Sequence, residues 1–268
     1  MTYVYPVLSR RAGGLSIGVN FNINNRCNWR CIYCQVPDLQ RGTPPALNFE
    51  LLEKELRQFL IDVLQSDFFD RFQVDEKNRH IKDIAISGNG EPTSVKDFDR
   101  AIELIGSIAT ELGVLPTSRF VLITNGSLIH RPQVQRGLTQ LNRYGGEVWF
   151  KLDSATKAGR KLYNNAAQSI DSLSKNLQLS ARLCPTKIQT CLVDYQHRGL
   201  TETEKTAYLQ FLKSIKDAGT SLEQIMLYSL ARPSMQPEAP SLSPLSVEAM
   251  QTLADELIAL GFTVSITP

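Results

Sequence analysis

Hydrophobic residues follow two repeating patterns along this chain. In short segments they alternate with polar or small residues, as in a strand, and in longer segments they recur every three or four residues, as in a helix with one buried face. The alternating segments predict strands at residues 15–22, 80–87, 119–124, 147–153, 187–193 and 224–229, with a short last strand at 262–266. The longer segments predict helices at residues 48–69, 97–112, 132–144, 156–163, 170–183, 201–218 and 246–260.

Strands and helices take turns along the chain, and this order predicts parallel βα units with right-handed crossovers. The predicted fold class is α/β, with residues 15–268 as a single domain after an N-terminal lead at 1–14. In that lead, Arg10 and Arg11 are predicted to form a solvated basic end. A Pro- and Ser-rich crossing at 231–244 precedes the last helix. The carboxyl ends of the strands should meet on one face, where βα barrels place their functional residues.

Three cysteines follow the first predicted strand in one loop. They are Cys27, Cys31 and Cys34, spaced C-x3-C-x2-C, with Tyr33 directly before the last of them. Three thiolates cannot fill a four-coordinate structural zinc site without a fourth ligand. They can hold three irons of a [4Fe–4S] cluster and leave the fourth iron open to a ligand from outside the protein. S-adenosylmethionine (SAM) needs such an open iron beside a reducible cluster to be cleaved to a radical. The alternatives are a partial zinc site or a chance spacing.

A glycine-rich turn follows the second predicted strand and reads GNGEPT. Gly88 and Gly90 flank Asn89 and allow the backbone to approach a ligand closely, while Glu91 supplies a carboxylate. A carboxylate among backbone carbonyls suits the ammonium group of a ligand. By itself, this segment is also compatible with a plain strand-end turn.

The fourth predicted strand carries an unusual polar face. Trp149, Lys151 and Asp153 lie on one side of it, opposite a purely apolar side. Both sides of a barrel strand are normally apolar, so an inward lysine and aspartate indicate either a buried pair or site residues.

Composition and charge narrow the class of protein. The 42% of hydrophobic residues can build a sizeable core, and 21% charged residues are ordinary for a soluble protein. The net charge of +2 is too small to argue for nucleic acid, so a tRNA partner is possible but not favoured. Five cysteines, three of them in one loop, suit a metal site in a reducing cytoplasm. We expect a cytoplasmic protein without a signal peptide or membrane span.

Four segments together resemble the radical SAM superfamily, in particular its wyosine-type branch, which includes 4-demethylwyosine synthases. They read NRCNWRCIYCQ, SGNGEPT, LITNG and KLDS. The resemblance implies a (β/α)6 partial barrel of the TIM type, with the short last strand added to it. It also implies a [4Fe–4S] cluster and SAM as cofactors and an external one-electron reductant, flavodoxin- or ferredoxin-like, as a partner.

The same resemblance assigns roles to individual residues. The cluster ligands would be Cys27, Cys31 and Cys34, and Tyr33 would pack beside the cluster or the adenine. The turn that holds the amino group of SAM would be Gly88, Asn89, Gly90 and Glu91, with Asn89 at a position where glycine is usual. Other contacts to SAM would come from Thr124, Asn125, Asp153 and Ser154. Lys151 would meet the SAM carboxylate or the substrate, so Lys151 and Asp153 are the candidate catalytic residues.

Two further residues are candidates for substrate contact because they follow predicted strands on the same face. They are His197 and Arg232, each also compatible with a structural or solvated role. Cys191 lies in an apolar strand and is predicted to be a buried inert thiol, and with Cys184 it provides too few ligands for a second cluster.

The predicted function is reductive cleavage of SAM to a 5′-deoxyadenosyl radical, which abstracts hydrogen from a substrate that the sequence does not identify. The alternatives are an activase of a glycyl-radical enzyme and a non-catalytic iron–sulfur electron carrier or sensor. We do not expect a 4-demethylwyosine synthase, because the archaeal type carries additional cysteines for a second cluster.

Overall fold

The computed structural model describes residues 1–9 and 13–268. Arg10 and Arg11, predicted to form a solvated basic end, lie outside the described residues. The strands are β1 (Val4–Ser9), β2 (Gly14–Val19), β3 (Arg26–Cys27), β4 (Gln40–Arg41), β5 (Ile81–Ile86), β6 (Arg119–Thr124), β7 (Glu147–Lys151), β8 (Thr186–Cys191), β9 (Val193–Tyr195), β10 (Ile225–Tyr228), β11 (Leu242–Pro244) and β12 (Val264–Thr267). The helices are α1 (Phe49–Gln65), α2 (Phe68–Arg71), α3 (Phe98–Glu111), α4 (Pro132–Arg143), α5 (Lys157–Asn164), α6 (Ile170–Leu183), α7 (Glu202–Asp217) and α8 (Val247–Ala259).

The main sheet is almost entirely parallel. In the described residues it holds eight strands in the order β1-β2-β5-β6-β7-β8-β10-β12. Strand β1 runs antiparallel to β2, and every later neighbour in this order is parallel. Each strand of this sheet lies beside the strand of the sheet that follows it in the chain. The α/β class with mainly parallel strands is therefore confirmed.

Strand β1 is an element that the sequence pattern did not predict, because Pro6 interrupts its alternation and cannot donate to a ladder. Proline is tolerated on an edge strand, which is where β1 lies. The chain before it is held by the buried Glu55 of α1, whose carboxylate accepts from the backbone N–H groups of Thr2 and Tyr3 at 2.6 and 2.7 Å.

The predicted helix at 48–69 is two helices. Helix α1 ends at Gln65 because Ser66 adopts an extended conformation, and the Ser66 hydroxyl donates to the carbonyl of Asp62. The predicted strand at 187–193 is likewise divided into β8 and β9, and β9 pairs with β11 in a small antiparallel sheet. That pairing gives structure to the end of the Pro- and Ser-rich crossing.

The main core consists of buried residues of the sheet strands and of the helices. Its strand residues alternate along each strand, as Val148 and Phe150 do on β7, and both are completely buried. The other face of β7 carries half-buried Trp149 and Lys151. This alternation confirms that Trp149 and Lys151 share the face of β7 opposite Val148 and Phe150. Across the described ranges, none of the helices has the length and apolar character that crossing a bilayer requires.

Candidate functional site

The three cysteines lie in the loop that follows β2, at the carboxyl end of the parallel sheet. We call residues 25–35 the cysteine loop. Cys27, Cys31 and Cys34 are free, half-buried thiols in this loop. No three His, Cys, Asp or Glu side chains in the described ranges converge as ligands of one metal ion would. Ligands of a cluster bind different irons, so the cysteines of such a site need not converge on one point.

Burial governs the ionisation of two of these thiols. It raises the pKa of Cys27 to about 12 and that of Cys31 to about 11. Both are therefore protonated at neutral pH in the metal-free protein. Iron binds thiolates, so forming a cluster here must release protons. Three cysteines with no fourth protein ligand in their loop fit a [4Fe–4S] cluster that has one open iron.

A segment about 200 residues later in the chain holds the backbone of this loop in place. We call residues 232–238, which belong to the Pro- and Ser-rich crossing, the clasp. The Ser234 hydroxyl donates to the carbonyl of Ile32 at 2.7 Å, and the Met235 N–H donates to the carbonyl of Cys34 at 2.9 Å. The Gln236 amide donates to the carbonyl of Val36 at 3.0 Å. The clasp thus provides partners for the carbonyls around Cys34.

An ion pair adds a side-chain contact between the clasp and the cysteine loop. Both terminal nitrogens of the Arg30 guanidinium donate to the Glu238 carboxylate, at 2.7 and 2.6 Å. The Gln35 amide also donates to the carbonyl of Arg232 at 3.1 Å. Arg232 itself is exposed, and its predicted contact with substrate stays a prediction.

Glu91, the carboxylate of the glycine-rich turn, is 2% exposed and is surrounded by hydrogen-bond donors. It accepts from the N–H and hydroxyl of Thr93, from the Thr124 hydroxyl at 2.6 Å and from the Asn125 N–H at 2.7 Å. Burial raises the pKa of Glu91, and these donors oppose that rise. Glu91 therefore joins the ends of β5 and β6, and its predicted contact with a ligand ammonium stays a prediction.

Hydrogen bonds also join the turn after β6 to the cysteine loop. The Asn125 amide donates to the Asn28 side-chain oxygen at 2.8 Å, and the Asn28 amide donates to the Ser127 hydroxyl at 2.8 Å. Three sequence signals thus meet at one place: the cysteine loop, the glycine-rich turn and the Thr124-Asn125 turn. Asn28 and Ser127 themselves were not among the predicted site residues.

Asp153 is the centre of a second buried network beside the cysteine loop. It accepts from the Tyr33 hydroxyl, from the Asn164 amide at 2.6 Å and from the Cys191 N–H at 2.8 Å. The Asn164 amide also lies 3.3 Å from the Cys31 sulfur. Burial raises the pKa of Tyr33 well above its usual range, and the charge of Asp153 raises it further, so the phenol keeps its proton. Asp153 and Asn164 together fix the positions of Tyr33 and Cys31.

Lys151 lies next to this network but donates to another residue. Its ammonium is 3.3 Å from the Tyr228 hydroxyl and 5.2 Å from the centre of the Tyr33 ring. Burial opposes its charge, but Tyr228, Asp153 and nearby cysteines together raise the pKa of Lys151 above its usual range. Lys151 is therefore a protonated cation beside the cysteine loop, suited to attract an anionic group of a ligand.

Ser154 is 1% exposed, and its hydroxyl donates to the carboxylate of Glu204 at 2.6 Å. The Thr156 hydroxyl donates to the same carboxylate. Glu204 was not among the predicted site residues; it stands three residues after the helix-capping Thr201, a spacing that is typical of a capping box. The contact joins two residues 50 positions apart in the chain, so it depends on the tertiary fold.

His197 and Cys184 lie apart from these networks, whereas Cys191 contributes its N–H to the Asp153 network. His197 is exposed in the turn after β9, where its φ of 58° is in the left-handed region. Cys184 is buried just before β8, at the end of the sheet opposite the cysteine loop, and its thiol donates to the Gly146 carbonyl. Cys191 is 4% exposed.

Comparisons with known proteins address the family of this chain. A family model described as the radical SAM superfamily matches residues 21–207. Two Helicobacter pylori proteins described as UPF0026 protein are similar to this chain. The one from strain ATCC 700392 / 26695 is 33% identical over 150 residues, 56% of this chain and 41% of the relative. The one from strain J99 is 28% identical over 226 residues, 82% of this chain and 65% of the relative. The chain therefore spans less than two thirds of either relative.

Solved structures resemble the fold over most of the chain. A radical SAM methyltransferase from Sphaerobacter thermophilus superposes with a TM-score of 0.60 at 12% identity, covering 98% of this chain and 68% of that one. Archaeal TYW1 superposes with a TM-score of 0.53 at 16% identity, covering 91% of this chain and 71% of that one. At these identities the similarity shows the fold alone.

Proposed function

The chain belongs to the radical SAM superfamily, and we propose that it is an enzyme related to the wyosine-type branch that cleaves SAM reductively but is not a 4-demethylwyosine synthase. Enzymes of this superfamily use a [4Fe–4S] cluster and SAM. The observation that carries the proposal is the meeting of three free cysteines, the glycine-rich turn and the cationic Lys151 at the carboxyl end of one parallel sheet.

With both cofactors bound, the site would supply reductive cleavage of SAM: one electron from an external flavodoxin- or ferredoxin-like reductant would break a C–S bond to give methionine and a 5′-deoxyadenosyl radical, which would abstract hydrogen from the substrate. The residues of the chain bind and orient the participants. Cys27, Cys31 and Cys34 would hold the cluster through three thiolates. Glu91 keeps the glycine-rich turn against the end of β6, and Lys151 offers a positive charge to a carboxylate of SAM or of the substrate.

Two observations argue against a 4-demethylwyosine synthase. Only Cys184 and Cys191 remain outside the cysteine loop, and Cys184 lies at the opposite end of the sheet, so a second cluster lacks ligands. The net charge of +2 also provides little of the phosphate-neutralising surface that tRNA binding uses.

Anaerobic reconstitution with iron and sulfide tests the cofactor assignment. We expect about four irons per chain and, after reduction, an electron paramagnetic resonance (EPR) signal that changes when SAM is added. A reconstituted protein that binds zinc in place of iron, or whose EPR signal ignores SAM, would contradict the proposal.

Incubation with SAM, dithionite, pyruvate and tRNA containing N1-methylguanosine tests the substrate assignment. We expect no tricyclic base when the tRNA is digested and analysed by mass spectrometry. Its formation, and its loss in Lys151→Ala, would show that the protein is a 4-demethylwyosine synthase after all.

A further inference from the structure

We propose that Asn89 is a positioning residue that fixes the start of the cysteine loop, and this rests on the proposed function of that loop as a cluster site. Asn89 occupies the first position of the triplet 89–91, where the resemblance leads one to expect glycine. A glycine there could contribute backbone contacts only. The asparagine side chain adds contacts that tie the glycine-rich turn to the cysteine loop.

The side-chain contacts of Asn89 run through Asn25. The Asn89 amide nitrogen donates to the Asn25 side-chain oxygen at 2.7 Å. The Asn25 amide nitrogen then donates to the carbonyl of Pro37 at 3.1 Å. Asn25 precedes Cys27 by two residues, and Pro37 follows Cys34 by three. One chain of two hydrogen bonds therefore joins the glycine-rich turn to both ends of the segment that carries the cysteines.

Asn25 needs external support because of its backbone. Its φ is 54°, in the left-handed region, which asparagine tolerates better than most residues but which still costs free energy. The carbonyl of Asn25 also accepts from the Gln40 N–H at 3.0 Å, so the same residue anchors β4. Asn89 thus binds the side chain of a residue of the cysteine loop whose backbone is left-handed.

The glycine-rich turn is itself held rigidly enough to serve as a support. The side-chain oxygen of Asn20 accepts from the N–H of Asn22 at 2.9 Å and from the N–H of Asn89 at 3.1 Å. A Cβ on Gly88 would collide with the Asn20 side chain, and a Cβ on Gly90 would collide with the carbonyl of Arg26. Neither glycine can be replaced without moving these atoms. Between these two restricted glycines, Asn89 is the residue whose side chain contacts Asn25.

Asn89 links the two candidate ligand sites, the one for SAM and the one for the cluster. The turn proposed to hold SAM and the loop proposed to hold the cluster form one hydrogen-bonded unit that also includes Asn28 and Asn125. Without the hydrogen bond from Asn89, Asn25 should be less restrained. Cys27 should then be more mobile, and it should bind iron less tightly.

The test compares Asn89→Gly with Asn24→Gly. Asn24 is the comparison because it is an exposed neighbouring asparagine without a contact to the glycine-rich turn; its amide donates to the Thr43 carbonyl at 3.2 Å and its side-chain oxygen accepts a long, exposed hydrogen bond from the Arg26 N–H at 3.3 Å. In the reconstituted protein, we expect Asn89→Gly to speed iron release to a chelator about fivefold, the effect of losing one hydrogen bond, and Asn24→Gly to change it less than about twofold. Equal rates of release in wild type and Asn89→Gly would overturn the proposal.

Two further measurements separate positioning from general stability. Hydrogen exchange of the apoprotein should quicken in residues 25–34 of Asn89→Gly while the exchange of α6 stays the same. This readout needs no cluster, so it tests the role of Asn89 even if the proposed function fails. In the Asn25→Gly background, where glycine tolerates the positive φ, Asn89→Gly should add no further effect. Fully additive effects, or unchanged exchange at 25–34, would contradict the bridge.

Discussion

Replacement of Glu238 by glutamine should loosen the clasp from the cysteine loop. In the wild type, the Glu238 carboxylate accepts from both terminal nitrogens of Arg30, at 2.6 and 2.7 Å. Arg30 lies between Cys27 and Cys31, so this pair joins the clasp to the part of the loop that carries two of the three proposed ligands. Glutamine keeps the shape of the side chain but removes its charge and leaves a single acceptor oxygen.

The size of the effect follows from the geometry and exposure of the pair. The two side chains are 31% and 21% exposed, so the pair is partly screened by solvent. A bidentate pair in this setting contributes about 1 kcal/mol to the free energy of unfolding. For a chain of this size, that loss lowers the melting temperature by roughly 2–4 °C. Glu111→Gln is the matched control, because Glu111 forms a bidentate pair with Arg57 at 2.8 Å but is 59% exposed and lies far along the chain from the loop.

Hydrogen exchange of the apoprotein and iron release from the reconstituted protein are the assays. Glu238→Gln should quicken exchange in residues 25–35 and speed iron release about fivefold, the equivalent of about 1 kcal/mol. Glu111→Gln should leave both unchanged. If the two variants behave alike, or if Glu238→Gln leaves exchange in the cysteine loop unchanged, the clasp does not hold the loop.

The contribution of Glu238 should also depend on pH. The Arg30 guanidinium lowers the pKa of Glu238 below its usual value of 4.5 in the folded protein. Because the folded-state pKa is lowered, the stabilisation is fully present above the unfolded-state pKa and is lost as the pH falls through the folded-state pKa. The stability difference between wild type and Glu238→Gln should therefore be full at neutral pH and shrink in acid.

Three further predictions test other parts of the account. Cys31→Ala should lose the iron chromophore after reconstitution while Cys184→Ala keeps it, and a full chromophore in Cys31→Ala would contradict the ligand assignment. Burial raises the pKa of Asp83 above its usual value of 3.8. The stability linked to protonation of Asp83 is therefore fully present below that usual value and is lost as the pH rises through the folded-state pKa. Asp83→Asn should thus be more stable than wild type at neutral pH and lose that advantage in acid, as measured by urea unfolding. Glu91→Gln should lower the free energy of unfolding in urea by roughly 1–3 kcal/mol, because the NH2 group of the new amide would face other hydrogen-bond donors. It should also weaken SAM binding, as measured by calorimetry. If neither quantity changes, the Glu91 network is unimportant.

The fold was largely predictable because its signals are local. Helix α6 and strand β6 have the bounds that periodicity predicts, since each carries a complete pattern of its own. Strand β1 was missed for the opposite reason. Its pattern is broken by Pro6, and the chain before it is held by Glu55, about 50 residues away in sequence.

The site was predictable only in its short motifs. The cysteine spacing and the Gly-Asn-Gly-Glu turn can be read from neighbouring residues. The clasp cannot, because Ser234 reaches a loop about 200 residues earlier in the chain, and nothing near it in the sequence marks it as a partner of Ile32. The contact of Glu204 with Ser154 could not be predicted either, because Glu204 follows the capping Thr201 at the spacing of a capping box, and that pattern indicates a helix start instead.

The most direct test of the central claim is the formation of 5′-deoxyadenosine. Anaerobically reconstituted protein should be incubated with SAM and dithionite, and the nucleoside should be quantified by liquid chromatography and mass spectrometry. We predict that 5′-deoxyadenosine and methionine appear together, only when reductant is present, and that Cys31→Ala forms neither. A protein that holds about four irons and binds SAM but forms no 5′-deoxyadenosine would contradict the account.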